Sequence, residues 1–140
     1  PHQAKCINKI GEHNWQDVSW GTIDPSQPYR YYVEGSDKQK YIDLFFYDGS
    51  ISKSVAFDNL LQDGKKFSYR LNDGFVESRN RAQLVHIATD GESYGHHTKF
   101  GDMALAYILK VGAKELGFEI TNYSQFWKNI LLNMKLILNP

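Results

Sequence analysis

Two short apolar runs that each end in Asp-Gly constrain this chain more than any other feature. The run YIDLFFY covers residues 41–47 and precedes Asp48-Gly49, and the run LVHIAT covers residues 84–89 and precedes Asp90-Gly91. Each run is short, apolar and bounded by a turn signal, which is the pattern of a buried strand. The segment FEIT at 118–121 is a third, shorter candidate. We therefore expect three buried strands.

Segments with helical spacing follow each of these runs. Residues 52–62 and 65–72 carry apolar side chains at close to helical spacing, and residues 100–116 form an Ala-, Leu- and Met-rich stretch that precedes Gly117. A last segment opens at Ser124, and its apolar residues follow the 3.6-residue period of a helix: Phe126, Trp127, Ile130, Leu131, Met134, Ile137 and Leu138. The chain thus alternates between strand and helix patterns.

This alternation predicts an α/β fold with a parallel sheet and right-handed crossovers. There are about three βα units, whereas a complete barrel needs eight strands and about 250 residues. The chain begins with Pro1 rather than Met. We therefore expect a partial (β/α) barrel and a single incomplete domain over residues 1–140. Its parts are an irregular or edge segment at 1–40, the βα units at 41–123 and a terminal helix at 124–140.

The charge balance disfavours two classes of partner. Sixteen Lys and Arg residues match sixteen Asp and Glu residues, so no basic surface for nucleic acid or an anionic membrane is expected. No apolar stretch is long enough to span a bilayer. The single cysteine, Cys6, fits a reducing compartment and predicts a cytoplasmic location. Aromatic residues make up 14% of the chain, and they suit either a packed core or the stacking of sugar rings.

Asp48 and Asp90 are expected at the same edge of the sheet, because parallel strands all end there and α/β proteins place their sites at that edge. Asp-Gly is also a common turn dipeptide, so each Asp has a structural alternative. His86, inside an apolar run, is interpreted as a hydrogen-bonded core histidine. The loop after the second strand is dense in polar groups: Asp90, Glu92, Tyr94, His96, His97 and Lys99.

Two chemistries fit this loop. One is glycoside hydrolysis, in which one carboxyl group protonates the leaving oxygen while another acts as nucleophile or base. The other is a hydrolytic metal site, for which Asp, Glu and neighbouring His are suitable ligands. A hydrogen-bonded loop that caps the following helix is a third, purely structural interpretation.

The segment LVHIATDGESYGHHTKFGDMALAYIL at residues 84–109 resembles glycoside hydrolase family 57. It is most similar to the branch in which the barrel accompanies a domain of unknown function. Three further segments look similar to that branch: YIDLFFYDGSISKSVAFDNLL at 41–61, WGTIDPSQPYR at 20–30 and ITNYSQF at 120–126. The resemblance covers roughly residues 15–126. The final stretch, WKNILLNMKLILNP, does not resemble the family.

The resemblance implies an α-amylase-like enzyme that acts on α-glucans by a two-carboxylate retaining mechanism without a cofactor or metal. It implies that Asp90 is the general acid/base, with Glu92 and His96 as its partners. We expect the substrate to be bound by Glu92, Tyr94, His96, His97 and Asp48. The family also has a glutamate nucleophile and a His-Gln-Pro motif. Neither is found here, since His2-Gln3 is followed by Ala4. We therefore expect a fragment that is inactive alone and lacks the remainder of its barrel.

Two alternatives stay open. The first is a metal-dependent polysaccharide deacetylase or mannosidase-like hydrolase that binds zinc through Asp90, His96 and His97. The second is a non-catalytic sugar-binding or degenerate remnant of the hydrolase.

Overall fold

Strands from both ends of the chain form a five-stranded sheet. A computed structural model describes residues 2–33, 35, 40–130 and 134–138. The chain divides into a sheet unit, residues 1–46 with 130–140, and a helical unit, residues 47–129. The expectation of one incomplete domain stays a prediction. The strands of the sheet unit are β1 (Ala4–Lys9), β2 (Gln16–Asp17), β3 (Tyr29–Tyr32), β4 (Tyr41–Leu44) and β5 (Met134–Leu138).

Strand β5 lies at the centre of this sheet, whose strand order is β2-β1-β5-β3-β4. It pairs antiparallel with β1, where Ile7 lies opposite Leu136, and parallel with β3, where Arg30 lies opposite Lys135. The β1–β2 and β3–β4 pairs are both antiparallel. The sheet is therefore mixed, and β3–β5 is the parallel pair among the described strands.

One apolar cluster packs the sheet unit. Tyr29 is fully buried, and its ring meets the edge of Phe46 at a centroid distance of 6.0 Å. The Tyr29 hydroxyl donates to the Asp24 carbonyl at 2.8 Å, which satisfies the polar end of an otherwise apolar side chain. The buried members of the cluster are Ala4, Ile7, Val18, Ile23, Tyr29, Phe46 and Leu136.

A charged pair joins the two strands at one edge of the sheet. Arg30 of β3 and Asp43 of β4 lie directly opposite each other, and Arg30 donates Nε and Nη2 to the two carboxylate oxygens at 2.8 and 3.0 Å. These bonds raise the pKa of Arg30 above its usual value. The guanidinium also lies 3.7 Å from the centre of the Tyr41 ring. The bidentate pair therefore fixes the β3–β4 register and pairs two opposite charges.

Carboxylates begin the first two helices of the helical unit. Asp48 caps α1 (Gly49–Phe57) by accepting from the Ile51 amide, and Asp63 caps α2 (Gly64–Asn72) by accepting from the amides of Lys65 and Lys66. Helix α3 (Gly101–Tyr107) continues through a π-helical stretch (Ile108–Gly112) into α4 (Ala113–Leu116), and α5 spans Tyr123–Lys128. Short 3-10 turns span Ser19–Gly21, Leu60–Gln62 and Gly91–Tyr94.

Glycines let α2 approach the long α3–α4 helix closely. A Cβ at Gly64 would lie 2.7 Å from the Cβ of Tyr107, and one at Gly112 would overlap the Ser68 side chain. Both glycines therefore face a surface with no room for a methyl group. Val55, Leu61, Phe67, Ala104 and Ile108 form the buried apolar cluster of this unit.

The helix predictions are largely confirmed. Residues 65–72 lie in α2, residues 100–116 cover α3 to α4, and Gly117 ends that helix at a φ of 75°. The helix predicted at 52–62 is shorter at its C-terminus: α1 ends at Phe57 because Asn59 adopts a left-handed φ of 54°. Its cap is Asp48 rather than a serine. None of the helices in the described residues is long and apolar enough to cross a membrane.

Two predicted strands are wrong. Residues 84–89 and 118–121 are extended coil, since the ladder of the described sheet is formed by other segments. The 84–89 run instead packs Ile87 against the apolar cluster of the helical unit, and its His86 carbonyl accepts from the Asp48 amide at 2.8 Å. The 41–47 run is a strand only at Tyr41–Leu44. It lies at an edge, where Tyr41 and Ile42 are about half exposed.

The two ends of the chain also differ from expectation. The segment 1–40, predicted to be an irregular or edge segment, contains the edge strand β2 and the inner strands β1 and β3. The predicted terminal helix at 124–140 reduces to α5, and Met134–Leu138 is a strand whose Leu136 is buried. Leu131 lies outside the described residues. Short apolar runs fit helix and strand spacing equally well, and here pairing with β1 and β3 decides the outcome. The α/β class holds, but the described residues do not form three consecutive βα units.

The close approach at Gly112 gives a testable prediction. We expect Gly112→Ala to lower the free energy of unfolding by about 1–3 kcal/mol, because the new methyl group overlaps the buried Ser68 side chain. Gly49→Ala is the matched control, since a Cβ there meets nothing within 4 Å. Urea denaturation of both variants measures the difference. Equal stability of the two variants would show that α2 and the α3–α4 helix are not in close contact.

Candidate active-site loop

Asp90 stands at the entrance of the polar loop with its carboxylate exposed. Its backbone carbonyl accepts from the Ser93 amide at 3.0 Å, which begins the turn Gly91–Tyr94. Its side chain makes no capping hydrogen bond to that turn, unlike the side chains of Asp48 and Asp63 at their helices. The Asp90 carboxylate therefore does not stabilise this turn by capping it.

Glu92 closes the loop through its backbone. Its carbonyl accepts from the amides of His96 and His97 at 3.0 and 2.9 Å. Its carboxylate lies 3.4 Å from the Nε2 atom of His97, and both side chains are more than half exposed. The ion pair contributes little stability at such exposure. The rings of His96 and His97 meet edge to face at 5.1 Å.

Tyr94 anchors the loop to the protein interior. Its hydroxyl shares a hydrogen bond with Thr89 Oγ1 at 3.0 Å, and its ring packs against the apolar cluster of the helical unit. Because Thr89 and Tyr94 lie on either side of Asp90, this bond fixes the two ends of the segment that carries the carboxylate. These contacts hold the loop in place, and the substrate-binding role expected of Tyr94 stays a prediction.

Gly101 allows the start of α3 to pack directly on this loop. A Cβ at Gly101 would lie 3.2 Å from the Ser93 carbonyl and the Tyr94 Cα, and 3.3 Å from a Leu61 methyl group. Ser93 is buried. The loop is thus held between α3 and the apolar cluster, and Asp90, Glu92, His96 and His97 are exposed.

The structure places Asp48 at the start of α1, and its expected role in substrate binding stays a prediction. Its carboxylate accepts from the Ile51 amide at 2.9 Å, and its carbonyl accepts from the Ser52 hydroxyl at 2.7 Å. Its amide donates to the carbonyl of His86, four residues before Asp90. The Asp48 side chain is therefore occupied by helix capping, which was the structural alternative for an Asp-Gly pair.

The described residues bring together no group of three His, Cys, Asp or Glu side chains that could hold a metal ion. This applies to Asp90, His96 and His97, the ligands expected under the zinc alternative. The loop offers carboxylate and imidazole groups for hydrogen bonding.

Two contacts around the loop were missed by the sequence analysis. Thr89 was only the last residue of a predicted strand, yet its hydroxyl holds Tyr94. His86 is hydrogen-bonded, as predicted, but it is half-buried rather than in the core, and its partner is Tyr123 at 2.9 Å. No signal in the sequence joins His86 to Tyr123, because 37 residues separate them.

The anchor gives a second prediction. We expect Tyr94→Phe to lower the free energy of unfolding by about 0.5–1.5 kcal/mol, because it removes the hydrogen bond to Thr89 and keeps the packed ring. Tyr47→Phe, at an exposed tyrosine of the same unit, is the control. Thermal unfolding compares the two. No difference between them would mean that the Thr89–Tyr94 bond does not hold the loop.

Comparison with known proteins agrees with the resemblance carried by the loop. The family model described as Glycosyl hydrolase family 57 matches residues 11–137. Searches of curated proteins and of solved structures found no match. The matched region contains the loop, the whole helical unit and, of the sheet unit, the strands β2 to β4 with most of β5, but not β1. It also includes most of the final stretch, residues 127–137, which was expected not to resemble the family. The chain belongs to glycosyl hydrolase family 57.

Proposed function

We propose that this chain carries the general acid/base of an α-glucan-active glycoside hydrolase and that this residue is Asp90. Membership of a glycoside hydrolase family supports a carbohydrate substrate. The observation that carries the proposal is the state of the Asp90 carboxylate. It is exposed, makes no capping bond, and sits on a segment pinned by Thr89 and Tyr94.

In a retaining mechanism, Asp90 would first protonate the glycosidic oxygen as the bond to the leaving sugar breaks. It would then remove a proton from the water that releases the second product. Glu92, His96 and His97 are exposed in the same loop and would hydrogen-bond sugar hydroxyl groups. Tyr94 would fix the direction of the Asp90 carboxylate by holding the loop.

The mechanism needs a second carboxylate about 5–5.5 Å from the first. Asp48 is a poor candidate, because its carboxylate caps α1. We therefore propose that the nucleophile comes from the remainder of a (β/α) barrel and that the 140-residue chain alone has little or no activity. The Asp48–His86 backbone bond is consistent with neighbouring positions of their two segments in such a barrel.

The third prediction tests Asp90 in the form of the protein that source cells contain, identified with an antibody against residues 84–109. If that form hydrolyses α-glucan, we expect Asp90→Asn to lower kcat by about 10²- to 10⁴-fold, because proton transfer to the leaving oxygen is lost. Asp102→Asn, at an exposed carboxylate in the first turn of α3, is the control and is expected to retain activity.

Two results would contradict parts of this proposal. Equal activity of Asp90→Asn and Asp102→Asn would exclude Asp90 as the general acid/base. Turnover by the 140-residue chain itself, lost in Asp90→Asn, would keep the role of Asp90 and overturn the requirement for a remainder of the barrel. Release of reducing sugar from maltooligosaccharides measures both.

One alternative function is carbohydrate binding without catalysis. A sugar-binding remnant would bind maltooligosaccharides through the exposed side of the loop without turnover, and the capping role of Asp48 favours this alternative over a complete site within the chain. The zinc-dependent deacetylase or mannosidase alternative has no support in the described geometry. The cytoplasmic location expected from the single cysteine stays a prediction.

A further inference from the structure

A groove of about 390 Å³ lies in the helical unit, and none of the loop residues 90–97 lines it. Its walls come from the C-terminal end of α2 with Phe75, from residues 83–86, and from residues 118–123. The volume falls in the range of small-molecule sites, roughly 300–1,000 Å³. The three walls are distant in sequence, so only the folded unit creates the groove.

Two aromatic rings form one part of the wall. Phe75 and Phe118 are both half-buried, and their ring centroids lie 5.7 Å apart with the planes tilted by 35°. Leu71, Leu84 and Val85 extend the apolar surface. A ligand in this groove therefore needs an apolar face that can lie against aromatic and aliphatic carbon.

Polar groups lie at the other part of the wall. The His86 Nδ1 and Tyr123 Oη atoms share a hydrogen bond of 2.9 Å, and the two rings meet at 87°. This bond fixes the orientation of both side chains at the groove. Glu119 adds a carboxylate. The other two polar side chains are used within the chain: Asn122 Oδ1 caps α5 by accepting from the Gln125 amide, and Thr121 Oγ1 donates to the Asn122 carbonyl. Glu119 is exposed and forms no ion pair with any residue in the described part of the chain.

The charges exclude an anionic ligand. Among the described residues, no Lys or Arg lines the groove and Glu119 is its one acidic residue. A carboxylate beside an apolar wall is a strong acceptor for hydroxyl groups. The matching ligand has one apolar face and hydroxyl groups along its edge, and a neutral pyranose ring has both.

We propose that this groove binds a neutral oligosaccharide, with a sugar ring against Phe118 and a ring hydroxyl donating to Glu119. The choice of a sugar over another hydroxylated ligand rests on the proposed carbohydrate function. The existence of the groove does not depend on that proposal. The site provides binding only, since no reacting pair of carboxylates lines it. It would hold a glucan chain at a second point besides the loop around Asp90.

The fourth prediction uses maltose as the probe and the full 140-residue chain. In amide NMR spectra, we expect maltose to shift the signals of residues 83–86 and 118–123 in a saturable way. Glu119→Gln is expected to weaken that binding roughly tenfold, because an uncharged acceptor replaces the carboxylate. Glu77→Gln, at an exposed carboxylate outside the groove, is the control and should leave binding unchanged.

A second variant tests whether the His86–Tyr123 hydrogen bond contributes to maltose binding without changing the fold. Tyr123→Phe keeps the ring and removes the hydroxyl, so we expect an unchanged fold and weaker maltose binding. Absent shifts at 118–123, or shifts that Glu119→Gln leaves unaltered, would overturn the proposal. Tighter binding of indole than of maltose would also overturn it, since indole lacks hydroxyl groups. Asp90→Asn does not touch this groove, so the test of Asp90 and the test of the groove fail separately.

Discussion

The pairing of β5 with β1 and β3 is the interaction on which the sheet unit depends. Without Met134–Leu138, the described strands would fall into two separate antiparallel pairs, β1–β2 and β3–β4. Two-stranded pairs are marginal in water, whereas a sheet of five strands can bury one continuous apolar surface. Leu136 shows this directly, because it is buried in the same cluster as Ile7 and Tyr29.

The helical unit holds its polar loop by a different principle. Close helix contacts at Gly64, Gly101 and Gly112 leave no space for side chains, so the backbone of each neighbour is fixed by packing. Tyr94 then connects the loop to this packed region through its ring and its hydroxyl. A general acid must be held in one direction to transfer a proton. The exposed side of the loop is thus polar and open, while its inner side is apolar and rigid.

Local signals in the sequence predicted the parts of the fold that depend on local structure. Helix α2 and the end of α4 at Gly117 were placed correctly because caps, spacing and a left-handed glycine act within a few residues. The strand predictions were wrong because strand pairing joins residues that are far apart in sequence. Met134, Ile137 and Leu138 fit a helical face, yet β5 turns Leu136 inwards because β1 and β3 lie beside it.

The candidate site was predictable to the same extent. The cluster from Asp90 to His97 was found because its residues are adjacent in sequence, and the family resemblance rests on the same segment. The role of Asp48 could not be separated from helix capping, since Asp-Gly serves both uses. The groove at Phe118 could not be predicted from the sequence. Its three walls meet only after α2, the 83–86 segment and the 118–123 segment have packed together.

The central position of β5 also determines the order in which the chain can be completed during synthesis. The whole helical unit, residues 47–129, is translated before β5. Until then, β1 and β3 lack the strand that lies between them in the sheet. Contacts that span so much of the chain have a high entropic cost of closure and slow the formation of a sheet. The edges of β1 and β3 that pair with β5 therefore stay unpaired until Met134–Leu138 has been translated.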